Sequence, residues 1–128
     1  MKKTKILILL VAVFMAISVV SLMGCGLFKE IKLSEVQANL KNAGYEVNVM
    51  TGEEYVQTED ADPFVTSGEL ETYLYAVKGN DLIHMFFYYT VDDASWDHDA
   101  MIYPGLLSGQ SNRVVYFATK QAKKDAKL

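Results

Sequence analysis

Cysteine, proline, histidine and tryptophan are all scarce in this chain. Its 128 residues include one cysteine, two prolines, two histidines and one tryptophan. A single cysteine cannot form a disulfide within the chain, so the fold must rely on its hydrophobic core. Catalytic patterns are also missing, because no serine lies in a Gly-x-Ser-x-Gly elbow and His84 and His98 are the only histidines. We therefore expect that the protein is not an enzyme and that it needs no cofactor.

The one cysteine ends a segment that has the pattern of a lipoprotein leader. Three lysines within the first five residues precede an almost wholly apolar stretch, residues 6–20, and the run Leu22-Met23-Gly24-Cys25 follows. A basic start, an apolar centre and small residues near a cleavage point are typical of a secretory signal peptide. The run resembles a bacterial lipobox, the site where a diacylglyceryl group is added to the cysteine sulfur before a peptidase cuts in front of it.

The lipobox resemblance implies that Cys25 carries a membrane anchor on the extracytoplasmic side of the cell membrane. Cleavage would remove residues 1–24 as a signal peptide and leave residues 25–32 as a short tether. Two or more acyl chains hold a protein stably at a bilayer, whereas one chain binds only marginally. Two alternatives remain open. Residues 6–23 are about long enough to stay as an uncleaved transmembrane anchor, and ordinary signal cleavage would leave Cys25 as a free thiol.

The part of the chain after the leader is acidic. The chain has 12 basic and 16 acidic residues, and because three lysines lie in the leader, 9 basic residues face 16 acidic ones, a net charge of −7. This balance disfavours nucleic acid and anionic lipid as partners. Residues 33–128 are enough for one domain with a core of its own.

Hydrophobic spacing predicts a helix and a strand at the start of this domain. Apolar residues at helical spacing follow Ser34, which forms a capping box with Gln37, so a helix is expected over Ser34–Ala43. Gly44 is placed to stop it. Alternation then predicts a strand that begins at Tyr45.

A central hairpin is the strongest prediction from the pattern. Residues 69–78 and 81–91 are rich in aromatic and β-branched residues, and the pair Gly79-Asn80 between them is a two-residue turn. This turn sets the register, so that Lys78 opposes Asp81. Residues 51–68 are expected to form an acidic loop, with room for a short strand over residues 54–57.

The C-terminal third is expected to add a helix, a strand and a last short helix. Asp92 or Asp93 could cap the first helix, with Trp96 or His98 packed inward. Residues 113–118 are β-prone, and Thr119 can cap the final helix. The expected fold is α+β in the order α-β-β-β-α-β-α, an antiparallel sheet of about four strands with helices mainly on one face.

Two short runs are similar to sequences of small surface lipoproteins of bacteria. They are residues 43–47, Ala-Gly-Tyr-Glu-Val, and residues 116–122, Tyr-Phe-Ala-Thr-Lys-Gln-Ala. The first describes a helix stop and the second a helix cap. The resemblance implies the fold and the location only, and no activity comes with it.

The hairpin has one plainly apolar face and one rich in tyrosine. Leu74 and Met85 mark the first face, which is expected to be the core. The second face is a candidate binding surface if both helical layers pack on the first, because tyrosines have an apolar body and a polar tip. Its residues are Tyr73, Tyr75, His84, Phe86 and Tyr88. A loop, a helix or a second copy of the chain could instead cover it.

One polar cluster, residues 96–99, could carry metal or hydrolytic chemistry. Adjacent helical residues diverge by about 100°, so Asp97, His98 and Asp99 cannot all face one ion, although Asp93 and Asp97 could. No metal site is therefore expected. The sequence predicts an anchored binding or interaction module with a protein or cell-wall partner. A structural or stress-related envelope lipoprotein without a ligand is the alternative, and a hydrolase that uses Asp97 and His98 comes last.

Overall fold

The computed structural model describes residues 30–128. The predicted signal peptide, the lipobox and Cys25 lie outside these residues. The elements follow one another as α1 (Leu33–Asn42), β1 (Glu46–Thr51), α2 (Gly52–Val56), β2 (Leu70–Lys78), β3 (Asp81–Tyr88), α3 (Val91–Ala100), β4 (Leu107–Ser111), β5 (Val114–Ala118) and α4 (Lys120–Asp125). The α+β class and the antiparallel sheet are confirmed, with five strands in the described part of the chain rather than about four.

The strands form one antiparallel sheet in the order β1-β2-β3-β5-β4. Strands β1 to β3 are neighbours in both sequence and space. The chain then leaves β3 through α3, reaches the far edge as β4, and returns as β5 beside β3. This long connection carries α3 across one face of the sheet.

The predicted hairpin register is confirmed. Lys78 pairs with Asp81 across the turn, and Gly79 has a φ of +61°, a conformation that glycine adopts without strain. The register shifts between Leu70 and Thr72. Alternation from Leu74 would put Leu70 on the same face as Leu74, but this irregularity moves it to the opposite face, where it packs with Tyr88.

Helices cover both faces of the sheet, so the prediction of helices mainly on one face is wrong. On the α1/α4 face, Val36 and Leu40 of α1 and Ala122 of α4 pack against Leu74 and Met85 of the sheet. The opposite face, the α2/α3 face, packs against Tyr55 and Val56 of α2 and Ala94 of α3. The sheet is therefore the middle of three layers.

The helix ends differ from the prediction in two places and agree in two. Helix α1 begins after Lys32 without a side-chain cap, so the predicted Ser34 capping box is wrong. Helix α3 is capped by Thr90, whose hydroxyl accepts from the Asp93 amide, rather than by either aspartate. Gly44 ends α1 with a φ of +96°, and Thr119 caps α4, both as predicted.

Two elements arise in segments that were expected to be loops. Residues 54–57 do not form a strand, because α2 occupies Gly52–Val56 and begins with a reciprocal capping box between Thr51 and Glu54. The run Leu107–Ser111 forms edge strand β4. Its pairing with β5 completes the sheet.

Candidate functional site

Most of the predicted tyrosine face is core rather than surface. Tyr73, Phe86 and Tyr88 are buried, and Phe86 and Tyr88 have no exposed area. Only Tyr75 and His84 of the predicted set keep part of their surface open. Of the two alternatives, an open face and a covered one, the covered one holds for Tyr73, Phe86 and Tyr88, because α2, α3 and the segment between α2 and β2 pack over them.

Strand register explains which side chains are covered and which are not. One row across the sheet is Met50, Tyr73, Phe86 and Val115, and α2 lies over it with Tyr55 in contact with Tyr73 and Phe86. The next row on the same face lies two residue pairs nearer the hairpin turn. It consists of Asn48, Tyr75, His84 and Phe117. This second row is covered less completely.

An open cleft of about 500 Å³ lies where the cover ends. We name it the tyrosine cleft. Its volume falls in the range of small-molecule sites, roughly 300–1,000 Å³. It is lined by Asn48, Met50, Tyr55, Thr58, Asp60, Tyr73, Tyr75, His84 and Tyr103.

His84 is the centre of the aromatic cluster in this cleft. Its ring centroid lies 4.9 Å from that of Tyr75 and 5.1 Å from that of Tyr103. Its Nδ1 and the Tyr73 hydroxyl oxygen are hydrogen-bonded at 2.6 Å, and the ring tautomer decides which of the two donates. The imidazole is thus fixed by packing and by one hydrogen bond.

Two tyrosines from outside the hairpin form the walls of the cleft. Tyr55 of α2 stacks on Tyr73 at 4.3 Å, and its hydroxyl accepts a hydrogen bond of 2.7 Å from the Asp62 amide. Tyr103 follows α3 and stacks on Phe117 at 4.4 Å with an interplanar angle of 25°. These contacts hold the rings in place without any ligand, so the cleft is preformed.

The cleft is neutral except for one acidic residue at its lining. Burial lowers the pKa of His84 to about 4, so the imidazole is uncharged at neutral pH. Burial also raises the pKa values of Tyr73 and Tyr103 above their usual range, so both phenols stay protonated. Asp60 is the acid in the lining, and no lysine or arginine of the described residues contributes to it.

The Asp97 and His98 pair does not form a shared site. Asp97 is buried at 1% exposure, whereas His98 packs edge-on against Phe117 at 6.3 Å. Trp96 is 77% exposed, so of the two alternatives for the residue that packs inward, His98 is the one the structure shows. Residues 30–128 contain no group of three or more histidine, cysteine, aspartate or glutamate side chains placed to hold a metal ion.

A buried polar cluster lies on the same α2/α3 face. Glu69, from the segment before β2, and Tyr88 and Asp97 each have a buried side-chain oxygen without a hydrogen-bond partner. Burial, and then the neighbouring Asp97 carboxyl group, raise the pKa of Glu69 to about 7. Asp93 of α3 adds to this effect, whereas a backbone hydrogen bond at Thr66 opposes it.

Glu69 is expected to make the domain less stable as the pH rises from 5 to 8. Its folded-state pKa lies above its unfolded value of 4.5, so its stabilising contribution is fully present below pH 4.5 and is lost as the pH passes 7. We expect a loss of about 1 kcal/mol, since partial exposure screens the interaction. Urea unfolding of the chain and of Glu69→Gln at pH 5 and pH 8 measures it. An equal loss in both proteins would contradict this role.

Sequence reasoning missed Tyr55 and Tyr103. Tyr55 had a detectable signal, because Thr51-Gly52-Glu53-Glu54 fits the capping-box pattern of a helix start, which places a tyrosine one turn into α2. Tyr103 had none, since it lies in a loop that only the path of the chain from α3 to β4 brings over Phe117.

A second cleft of about 500 Å³ lies between α1, α4 and β4. Its lining includes Glu30, the first described residue, and Leu128 at the other end of the described chain. Among the described residues that line it, Tyr116 is the one aromatic residue and none is a histidine. The tyrosine cleft is therefore the better candidate for a ligand site.

Comparison with known protein families, with curated proteins and with solved structures finds nothing that matches this chain. Within residues 30–128, no helix has both the length and the apolar character needed to cross a bilayer.

Proposed function

We propose that this protein is a lipid-anchored extracytoplasmic lipoprotein whose domain binds a small organic ligand in the tyrosine cleft. The anchor rests on the lipobox at Cys25 and on the leader before it. The binding role rests on one observation above all, the preformed cleft of about 500 Å³ with aromatic rings on its floor and walls. Concave, largely apolar sites with a few polar groups are where small molecules bind.

The chemistry of the cleft favours binding over catalysis. A general base works best when its pKa lies near the working pH, whereas the pKa of His84 is lowered to about 4. Its Nδ1 is already hydrogen-bonded to Tyr73. The fixed rings, by contrast, offer surfaces for stacking and phenol groups for hydrogen bonds.

A structural envelope lipoprotein without a ligand is the second candidate. The burial of Tyr73, Phe86 and Tyr88 supports it, because packing alone explains why these three residues are aromatic. Packing does not explain the open surface that Tyr75, His84 and Tyr103 share.

Tyr75→Ala is expected to weaken the binding of any ligand that occupies the cleft by up to about tenfold, since a contact with an aromatic ring is worth about 0.5–1.5 kcal/mol beyond the area that it buries. The test is a ligand-observed NMR screen of sugars, short peptides and amines against the chain in a polyoxyethylene detergent, which carries neither a sugar nor an ammonium group. Tyr89→Ala is the matched control, because Tyr89 is 55% exposed and does not line the cleft.

Circular dichroism must show that both variants keep the fold. Ligands whose binding is weakened by Tyr75→Ala and unchanged by Tyr89→Ala support the cleft as the site. If no compound in the screen depends on Tyr75, the binding role is wrong and the structural role takes its place.

A further inference from the structure

Aromatic rings from more than one segment of the chain line the tyrosine cleft. Tyr75 and His84 form part of the floor, and Tyr55 and Tyr103 come from separate segments to form the walls. The faces of such rings carry negative electrostatic potential and attract cations within about 6 Å. The phenols of Tyr55 and Tyr103 stay protonated at neutral pH, so neither ring carries an ionic charge.

The charged residues around the cleft also favour a positively charged ligand. Asp60 supplies a carboxylate, whereas no basic side chain of the described residues lines the cleft. His84 is held neutral by burial, so it does not repel a cation at neutral pH. An anion would find neither a lysine nor an arginine among the described residues that line the cleft.

A bare metal ion fits the cleft poorly. Calcium takes six to eight oxygen ligands, many of them carboxylates, and magnesium keeps a tight octahedral shell. The cleft offers one carboxylate, Asp60, and one side-chain amide, Asn48. A soft cation that carries apolar groups suits these walls, because it can leave water at lower cost and contact several rings at once.

We propose that the ligand of the tyrosine cleft is an organic ammonium ion, a quaternary or alkylated ammonium group seated among Tyr55, Tyr75, Tyr103 and the Asp60 carboxylate. This inference rests on the proposed binding function and adds the chemical class of the ligand. At about 500 Å³ the cleft is larger than one ammonium head, so it has room for the remainder of the ligand.

The test compares choline with its uncharged carbon isostere, 3,3-dimethylbutan-1-ol, by isothermal titration calorimetry at fixed ionic strength. The protein is the chain in polyoxyethylene detergent. We expect choline to bind at least about tenfold more tightly than the isostere, since the two differ only in charge. Asp60→Asn should lower the affinity for choline and leave the affinity for the isostere unchanged. Asp92→Asn, at an exposed acid outside the cleft, should change neither affinity.

The possible results separate this inference from the proposed function. Equal affinity for choline and the isostere, or binding of N-acetylglucosamine but not choline, overturns the ammonium proposal while Tyr75-dependent binding still supports the cleft. If no tested compound binds in a Tyr75-dependent way, both proposals fail. Tighter binding of choline that Asp60→Asn does not reduce overturns the placement beside Asp60.

Discussion

Gly52→Ala is expected to lower the free energy of unfolding by about 3 kcal/mol, a large share of the stability of a domain of this size. A Cβ atom at this position would lie 1.9 Å from the Leu70 carbonyl oxygen and 2.7 Å from the Leu70 carbonyl carbon. These are backbone atoms, so no side-chain rotation relieves the contact. Helix α2 would have to move away from β2.

The displacement should reach the tyrosine cleft as well. Gly52 is the first residue of α2, and Tyr55 in the same helix packs on Tyr73 and Phe86. Urea unfolding followed by near-ultraviolet circular dichroism, which reports on the tyrosines, measures both the stability and the ring packing.

Gly68→Ala is the matched control for this prediction. A Cβ atom at Gly68 would meet nothing within 4 Å, and its backbone does not have a positive φ. The substitution should therefore change the free energy of unfolding by no more than about 0.5 kcal/mol. Similar losses in the two variants would show that α2 does not sit tightly against Leu70.

The hairpin could be predicted because its signals are local. The pair Gly79-Asn80 fixes the turn, and the register follows from it for every pair out to Thr72. The caps were harder, since Thr90 and Asp93 both offer a capping oxygen and only geometry shows that Thr90 is used. The local sequence limits the candidates for a capping residue, and the three-dimensional structure shows which one is used.

The layering could not be predicted from alternation alone. A strand covered on both faces reads as a nearly continuous apolar run, which is how residues 82–89 read. The same tyrosines and phenylalanines would suit an open binding face. The deciding contact comes from α2 and α3, which lie outside the hairpin in sequence.

The candidate site also has a part that could be predicted from the sequence and a part that could not. Tyr75 and His84 were predicted and do line the cleft, because their register places them side by side. Tyr73 also lines the cleft although it is largely buried, whereas Phe86 and Tyr88 of the same face lie wholly under cover. The walls come from Tyr55 and Tyr103, which lie outside the predicted hairpin. The cleft is formed by three segments that are separate in sequence, so the pattern of any one segment predicts only part of it.

Cys25→Ser is expected to leave residues 1–24 attached to the protein, whereas the unaltered chain should begin at an acylated Cys25. The reason is chemical, since a thiol supplies a thiolate and a serine hydroxyl is a far weaker nucleophile. Without the sulfur the lipid cannot be added, and in the lipoprotein family cleavage follows that step. Intact mass and the N-terminal peptide of the protein extracted from membranes measure both events.

Ser21→Ala is the control, because it keeps a small residue near the cut and leaves the sulfur in place. It should be processed like the unaltered chain. Two results would contradict the lipid anchor. A chain that keeps residues 1–24 and a free thiol is held by its leader, and a chain cut before Cys25 with a free thiol is a secreted protein. Because Cys25 is the only cysteine, thiol labelling distinguishes these states without interference from a second site. Either result would change where the domain is held, yet neither would change the rings, distances and charges on which the proposed binding role rests.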